Sequence, residues 1–225
     1  MEIVAYIILA VVCIIGLVFA FWHVGSRRFQ LPCPVWLRWM VEMDNPFTKT
    51  CRAQTIIEHL GLESGMAVLD AGCGPGRLTI PIAGRVGAHG CVVAMDIQEG
   101  MLARTKQKAL AEALSNIDFL HAGLGQGTLG SNRFDATVLV TVLGEIPNRA
   151  KALKEIYGAL KPAGILSVTE TVFDPHFQRR GTVSRLAGEA GLVPVESFGN
   201  RMSFTMNFQK PYPKEEEHAP NHLRA

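Results

Sequence analysis

The sequence carries almost no net charge. Its 22 lysines and arginines nearly balance 20 aspartates and glutamates, which leaves a net charge of +2 at pH 7. The basic residues are scattered along the chain, apart from the pairs Arg27-Arg28 and Arg179-Arg180. Because a nucleic-acid partner requires a continuous basic surface to meet its phosphates, we expect no nucleic-acid partner.

Paired cysteine motifs are also absent from the sequence. The five cysteines are widely spaced, and no two of them form a C-x-x-C pair. An odd number of separated thiols does not indicate a disulfide framework, and reduced thiols are typical of proteins in the cytosol. The sequence therefore predicts neither disulfide bonds nor a bound metal.

Charge is missing altogether from one long stretch near the N-terminus. Ile3 to Trp22 runs for twenty residues without a charged side chain, and a helix of that length matches the bilayer core. Only Glu2 precedes it, and the bulky run Phe19-Ala20-Phe21-Trp22 stands where a signal peptide would be cleaved, which favours retention. We predict that residues 1–25 form a transmembrane anchor.

The flanks of this stretch predict its orientation. Arg27, Arg28 and Arg38 follow it, whereas only Glu2 precedes it, and basic residues beside a span stay in the cytoplasm. We therefore expect a single-pass membrane protein whose folded domain is cytoplasmic. All three tryptophans lie between residues 22 and 39, where they suit either the headgroup level of a membrane or packing on the domain.

A connector from 26 to 47 separates the predicted anchor from the domain. The prolines of Gln30-Leu31-Pro32-Cys33-Pro34 fix the backbone and predict a short rigid elbow. Trp36 to Met43 is amphipathic, which favours a position along the membrane surface. Asn45-Pro46 matches a helix N-cap and first helical position, so we expect a helix from there to about Leu60.

The remaining length suits one folded domain. Residues 48–210 are enough for a single sizeable core, whereas the charged tail from 211 to 225 predicts disorder. Strands and helices alternate along the domain, as a doubly wound sheet requires. Helical periodicity covers 101–115, 148–160 and 177–190, and an antiparallel edge pair is predicted at 193–197 and 203–209.

The most informative stretch is residues 67–76, Ala-Val-Leu-Asp-Ala-Gly-Cys-Gly-Pro-Gly. An apolar strand runs there into a turn with three glycines, which lets backbone N–H groups approach a nucleotide-like ligand. The spacing is G-x-G-x-G rather than the dinucleotide G-x-G-x-x-G, and Pro75 removes one donor. Asp70 favours an ammonium group over a diphosphate. The loop therefore suits a zwitterion and disfavours a nucleotide-dependent oxidoreductase.

Three further apolar runs follow this loop in order. Cys91 to Asp96 ends on an acid about twenty residues later, where a second parallel strand would present a carboxylate to both hydroxyls of a ribose. A third run, Ala136 to Val142, follows Arg133-Phe134-Asp135. A fourth, Gly164 to Thr169, follows Leu160-Lys161-Pro162-Ala163.

With these four landmarks, the chain from about residue 45 to 210 resembles the class I S-adenosylmethionine-dependent methyltransferases. Gly-Cys-Gly-Pro-Gly-Arg-Leu-Thr and Met-Asp-Ile-Gln-Glu-Gly-Met-Leu are most similar to the small-molecule branch that includes the ubiquinone and menaquinone methyltransferases. The resemblance implies an α/β, Rossmann-like doubly wound sheet of seven strands, mostly parallel with the last strand antiparallel. It also implies S-adenosyl-L-methionine as cofactor. The cofactor-binding residues that it implies are Asp70, Gly72, Cys73, Gly74, Gly76, Asp96, Ile97 and Thr141.

Candidate catalytic residues follow the last two of these runs, where open α/β sheets place their sites. They are Glu145, Glu170, Asp174 and His176. A base is needed only if the methyl acceptor must lose a proton, and we predict Glu145, Glu170 and His176 for this role. The alternatives are a helix cap at Glu145, an arginine partner for Glu170 and a turn at Asp174-Pro175-His176.

One landmark of the family is missing. Relatives commonly carry an acid near the end of the third strand for the adenine amino group, whereas Phe119-Leu120-His121-Ala122-Gly123 offers none. Backbone groups around Ala122 and Gly123 are the substitutes. The glycine-rich stretch 123–130 is either a mobile loop beside the adenine or a plain surface loop.

The resemblance and the anchor together predict a membrane-anchored methyltransferase for an apolar or amphipathic small molecule, quinone-like or lipid, that arrives from the cytoplasmic leaflet. The alternative acceptor is a soluble thiol or metalloid. For that acceptor Cys33 and Cys51 would supply soft ligands, in the segment that covers the cofactor in related enzymes. A catalytically silent, tethered cofactor-binding scaffold is the second alternative.

Overall fold

The computed structural model describes residues 2–29, 33, 35, 42 and 49–213. The predicted elbow at 30–34, the amphipathic segment at 36–43 and the predicted helix start at 45–46 therefore lie largely outside the described residues. The charged part of the tail, from 214 onward, also lies outside them.

The described domain alternates strands and helices along the chain. The helices are α1 (Glu2–Phe29), α2 (Ala53–Leu60), α3 (Thr79–Val86), α4 (Glu99–Ala111), α5 (Arg149–Ala159) and α6 (Arg180–Glu189). The strands are β1 (Ala67–Ala71), β2 (Cys91–Asp96), β3 (Ile117–His121), β4 (Phe134–Val140), β5 (Leu160–Thr171), β6 (Val193–Gly199) and β7 (Ser203–Gln209).

These strands form one seven-stranded sheet in the order β3-β2-β1-β4-β5-β7-β6. Strands β1 to β5 pair in parallel, and β7 runs antiparallel to both β5 and β6. The α/β fold with an antiparallel last strand is thus confirmed. Because parallel strands share a direction, the carboxyl ends of β1, β2, β4 and β5 meet at one edge of the sheet.

Two apolar layers cover the faces of the sheet, since neighbouring residues of a strand point to opposite sides. Val68 packs in the layer with α2 and α3, whereas Leu69 packs in the layer with α5 and α6. Both side chains are fully buried. Burial on both faces explains why the central strands appear in the sequence as continuous apolar runs.

The start of α2 differs from the prediction. A continuous helix from Asn45 is wrong, because Arg52 is extended, with φ −68° and ψ 139°, and α2 begins only at Ala53. A short 3-10 turn, Lys49–Cys51, precedes Arg52. The helix predicted from Phe177 likewise begins later, at the first residue of α6.

The polar face of β7 is buried rather than exposed. The predicted edge pair exists, but β6 forms the edge and β7 lies inside the sheet. Cys51 Sγ and Ser203 Oγ are 2.9 Å apart, and Thr169 Oγ1 and Thr205 Oγ1 are 2.8 Å apart. These contacts give hydrogen-bond partners to polar side chains of β7. The alternating sequence pattern alone would place those side chains in solvent.

A helix does cover the predicted anchor stretch. All side chains from 3 to 18 of α1 are exposed. Within the described residues, no helix meets both the length and the apolar character that crossing a membrane requires. The last turn of α1 reaches the folded domain, where Ser26 is fully buried.

Candidate functional site

Three glycines shape the turn that follows β1. Gly72, Gly74 and Gly76 have positive φ angles of 77°, 52° and 80°, a region that side chains rarely adopt. A Cβ on Gly72 would collide with Cγ2 of Val142, and one on Gly76 would lie 2.7 Å from Cγ2 of Thr105. Backbone conformation and space both require glycine at these two positions.

The amides of this loop are already bonded within the protein. Gly72 and Cys73 N–H groups donate to the carbonyl of Met95 at 2.7 and 2.9 Å. The Gly74 N–H donates to Oδ2 of Asp96 at 2.9 Å. The structure therefore differs from the expectation that these amides face a ligand: they hold the loop against the end of β2. The loop presents a surface without bulky side chains instead.

Asp70 lies at the end of β1, beneath the loop. Its Oδ2 accepts a hydrogen bond from Thr79 Oγ1, at the start of α3, at 2.6 Å. Burial, with a smaller contribution from the charge of Asp96, raises the pKa of Asp70 to about 6. A cation nearby would stabilise this carboxylate, which is compatible with the predicted ammonium partner. Direct contact with the cofactor stays a prediction.

Asp96 ends β2 and is held by two backbone donors. Oδ2 accepts from Gly74 N–H and Oδ1 from Gln98 N–H, the latter at 2.8 Å. Burial raises the pKa of Asp96 even though these hydrogen bonds oppose the shift. The neighbouring Ile97 is exposed. The carboxylate is thus fixed in orientation, and its predicted bonds to a ribose, like a role for Ile97, stay predictions.

Thr141, at the end of β4, has a strained backbone. Its φ is 55°, which is uncommon for a β-branched residue and typical of functional positions. Its N–H donates to Thr169 O at 2.8 Å. Because the next residue, Val142, packs directly over Gly72, the end of β4 forms one side of the space above the loop.

Glu145, Asp174 and His176 come together beyond the ends of β4 and β5. His176 Nδ1 lies 3.7 Å from Glu145 Oε1 and 3.7 Å from Asp174 Oδ1. His176 is 7% exposed. The predicted turn is confirmed, since Asp174 Oδ1 accepts from the His176 N–H at 2.6 Å. The structure thus joins three candidates that the sequence presents separately.

Glu145 does not cap a helix, which was the alternative role for this residue. The N-cap of α5 is Asn148, whose side chain accepts from the Lys151 N–H at 3.0 Å. Glu145 instead faces His176. Burial first, and then the charges of Asp174, Asp96 and Glu170, raise its pKa to about 8.

Glu170 is a buried acid beside this group. It is 1% exposed, and its Oε2 accepts from the Gln178 N–H at 2.9 Å. Burial raises the pKa of Glu170 to about 8, against a partial offset from the charge of Arg149. Among the described residues its buried Oε1 has no hydrogen-bond partner. Glu170 therefore keeps its proton near neutral pH and becomes a base only as the pH rises through about 8.

The N-terminal segment also contributes to the site, which the sequence did not predict. The Ser26 carbonyl lies 2.9 Å from His176 Nε2. Gln98 Nε2 donates to the Cys33 carbonyl at 3.0 Å, and Glu42 forms an ion pair with Arg104 at 2.7 Å. Such contacts over long sequence separations leave no local signal.

The two cysteines considered as soft ligands occupy different surroundings. Burial first, and then the charges of Glu145 and Asp174, raise the pKa of the Cys33 thiol to about 11, so Cys33 lies near the acidic group. Cys51 contacts Ser203 on β7. A further cysteine, Cys73, lies buried in the glycine loop, and burial raises the pKa of its thiol as well.

The strand end predicted to lack an adenine-binding acid carries His121. Its Nε2 is 3.0 Å from the Ile97 carbonyl, and the Ala122 N–H donates to the Asp96 carbonyl at 3.3 Å. Asp118 lies earlier in β3 and pairs with Cys91. The adenine contacts stay a prediction.

Comparison with known proteins agrees with this geometry. Residues 68–164 match the family model described as a methyltransferase domain. That match covers less than half of this chain, so the chain is similar to the family over that stretch. A SAM-dependent methyltransferase structure from Aquifex aeolicus has the same fold, with a TM-score of 0.70 and 21% identity, covering 79% of this chain and 99% of that one.

The chain is also similar to curated proteins. The ubiquinone/menaquinone biosynthesis C-methyltransferase UbiE of Hydrogenovibrio crunogenus is 38% identical over 115 residues, which cover 51% of this chain and 45% of that protein. The demethylmenaquinone methyltransferase of Geobacillus stearothermophilus is 32% identical over 116 residues, covering 52% and 50%. The chain thus spans about half the length of the curated relatives it matches.

Proposed function

We propose that this protein is a membrane-anchored, S-adenosylmethionine-dependent methyltransferase for an apolar or amphipathic small molecule, quinone-like or lipid. One observation carries the proposal: the glycine loop fixed to Asp96 lies beside the acidic group formed by Glu145, Asp174 and His176. Val142 bridges them, since it packs over Gly72 and precedes Glu145 by three residues. A cofactor on the loop would direct its methyl group toward the acids.

The reaction needs little from the protein beyond alignment. The bond between sulfur and methyl breaks as the bond from the acceptor to the methyl forms, and the sulfonium becomes neutral S-adenosylhomocysteine. Because charge is lost, a dry and well-aligned site supplies much of the rate. An acceptor that carries a proton must release it, and Glu145, Glu170 and His176 are the groups placed to accept it. The two acids do so only in their ionised forms, which predominate above their raised pKa of about 8.

The acceptor class rests on two kinds of support. The relatives include proteins described as menaquinone and ubiquinone methyltransferases, although this chain covers only about half of each. The exposed apolar side chains of α1, from 3 to 18, favour contact with lipid. A quinone or lipid dissolved in that membrane would have a short path to the site.

Anchoring is a separate part of the proposal. It rests on the uncharged run from Ile3 to Trp22 and on the exposure of the side chains from 3 to 18. With arginines following the run, the domain would lie in the cytoplasm. Flotation of lysed membranes and alkaline carbonate extraction test the anchor, and recovery of the protein in the soluble fraction under both treatments contradicts it.

A metalloid acceptor is less well supported. Cys33 lies near the acids, but its thiol, with a pKa raised to about 11, stays protonated at neutral pH. Soft metalloids bind the thiolate rather than the thiol. A silent scaffold is the other alternative, because a fold by itself does not establish catalysis.

The first experiment separates these alternatives. Detergent-solubilised protein is titrated by calorimetry with S-adenosylmethionine, S-adenosylhomocysteine and NAD, and methyl-labelled cofactor is then supplied with a membrane-lipid extract. The proposal expects micromolar binding of both S-adenosyl compounds and label in the lipid fraction. Binding without transfer to any acceptor supports the scaffold, and comparable affinity for NAD supports an oxidoreductase.

A further inference from the structure

The acidic group beyond β4 and β5 brings three acceptor atoms together. One oxygen of Glu145, one oxygen of Asp174 and Nδ1 of His176 all lie within 4.8 Å of one another. That span is about twice the distance from a metal ion to a protein oxygen or nitrogen ligand. A single cation placed among these atoms could touch all three.

The tautomer of His176 follows from its other nitrogen. Nε2 lies 2.9 Å from the Ser26 carbonyl and 3.2 Å from the Ser26 hydroxyl. A carbonyl oxygen can only accept, so Nε2 carries the hydrogen, and in the neutral ring Nδ1 then presents a lone pair. Histidine ligands of metals are oriented in the same way, by donating their second N–H to a backbone carbonyl or a carboxylate.

His176 supplies an observation that is independent of the acids. Its side chain is 5% exposed, and the buried Nδ1 has no hydrogen-bond partner among the residues that the structure describes. The two carboxylate oxygens at 3.7 Å are beyond hydrogen-bond distance. An imidazolium that shared its proton with either acid would lie closer. The nitrogen therefore points into the group without a partner there.

We propose that Glu145, Asp174 and His176 bind a divalent transition-metal ion, such as Mn²⁺ or Zn²⁺. Two carboxylates and an imidazole suit these ions, and three protein ligands leave coordination positions open. The sequence predicted no metal because the three residues lack the regular spacing of a metal motif. The binding claim stands on this geometry alone.

A second part of the inference rests on the proposed function. An open coordination position would take a hydroxyl or enolate oxygen of the methyl acceptor and stabilise its anionic form. The acceptor class would then be an oxygen-bearing ring or headgroup. The cation would hold the acceptor in place for methyl transfer.

Metal binding is tested without cofactor or activity. The full-length protein is stripped with a chelator and titrated with MnCl₂, and the decrease of the free Mn²⁺ signal is followed by electron paramagnetic resonance. We expect one saturable site per chain with micromolar affinity. Glu145→Gln, Asp174→Asn and His176→Gln should each weaken it at least tenfold.

His59→Gln is the matched control, because His59 also faces a carboxylate, Glu196, at 2.8 Å, but on an exposed surface. It should leave Mn²⁺ affinity unchanged. Absence of a saturable site, or equal binding by the wild type and any folded variant of the three, overturns the inference. A weak loss in the control as well would indicate surface binding and would also overturn it.

Calorimetry with S-adenosylhomocysteine on the same samples checks folding and separates the two proposals. Cofactor binding without Mn²⁺ binding removes the metal site and leaves the methyltransferase proposal intact. Mn²⁺ binding without cofactor binding supports the metal site and contradicts the methyltransferase proposal. Any one of the three variants that still binds S-adenosylhomocysteine is sufficient to decide the metal question.

Discussion

The two sides of the site are built in opposite ways. The glycine wall, residues 70–76 with Asp96, comes from one β-α-β unit and is fixed by backbone hydrogen bonds. The acid wall, Glu145 with Asp174 and His176, is closed by Ser26, which lies 150 residues from His176. The hydrogen bonds of the glycine wall are made within its own β-α-β unit. The acid wall brings three acceptor atoms together, so a bound cation would lower its free energy.

The largest expected effect lies in the glycine wall. Gly72→Ala combines a positive φ with a collision against Val142 and should lower the free energy of unfolding by about 3 kcal/mol or more. Gly84→Ala is the control, since Gly84 is exposed in α3 with open space around it and alanine should stabilise a helix by about 0.5–1 kcal/mol. Urea unfolding measures both. Equal stabilities for the two variants would show that the loop is not rigid.

Asp70 tests how the glycine wall responds to pH. Its pKa rises from 3.8 unfolded to about 6 folded, so the stability that Asp70 contributes is fully present below about pH 4 and is lost as the pH rises through 6. The loss approaches about 3 kcal/mol. Asp70→Asn should remove this pH-dependent loss. The free energy of unfolding of the variant should therefore exceed that of the wild type only above about pH 4.

The same variant should bind S-adenosylmethionine more weakly, because the predicted ammonium partner loses its charge. Denaturant titrations from pH 4 to 8 measure stability, and calorimetry measures affinity. Asp118→Asn, an exchange at an exposed position of β3, serves as control. A stability difference for Asp70→Asn that does not change with pH would contradict the assignment of burial as the cause.

Asp96 tests whether the glycine wall holds the cofactor. Asp96→Ala should weaken S-adenosylhomocysteine binding by about 1–3 kcal/mol, through lost charge-assisted hydrogen bonds. Asp118→Ala should leave it unchanged. Calorimetric titration at fixed pH measures both affinities. An unaltered affinity of Asp96→Ala for S-adenosylhomocysteine would contradict the predicted contact between Asp96 and the ribose.

The smallest effect is expected where the acid wall meets α1. Ser26→Ala removes a hydroxyl 3.2 Å from His176 but keeps the carbonyl at 2.9 Å. The free energy of unfolding should therefore change by less than about 1 kcal/mol. The orientation of the ring, followed by the imidazole nitrogen shifts in NMR, should persist. A change of tautomer would mean that the hydroxyl, not the carbonyl, fixes His176.

The contrast between the walls also explains what the sequence could predict. The loop, Asp96 and the parallel strands lie within short stretches whose apolar runs and glycines follow local rules. Glu145 and His176 were recognised singly, from their positions after strands, but nothing in the sequence brings them within 3.7 Å of each other. The role of Ser26 could not be predicted, because only tertiary packing joins it to His176.

Local chemistry misled the prediction in two places. Asn45-Pro46 suggested a helix start, yet Arg52 is extended and α2 begins after it. The alternation in β7 suggested an edge strand, yet Cys51 and Thr169 supply partners for its polar face. In both cases tertiary contacts outweigh a weak local preference.

His176 donates a hydrogen bond from Nε2 to the Ser26 carbonyl, so the last turn of α1 forms part of the acid wall. Any force that pulls the last turn of α1 away from the domain must release that N–H and free the ring to turn. By thermodynamic reciprocity, a ligand that fixes the ring also holds the helix in place with the same free energy. Ligand binding to the acid wall and the position of the last turn of α1 are therefore coupled in a single equilibrium.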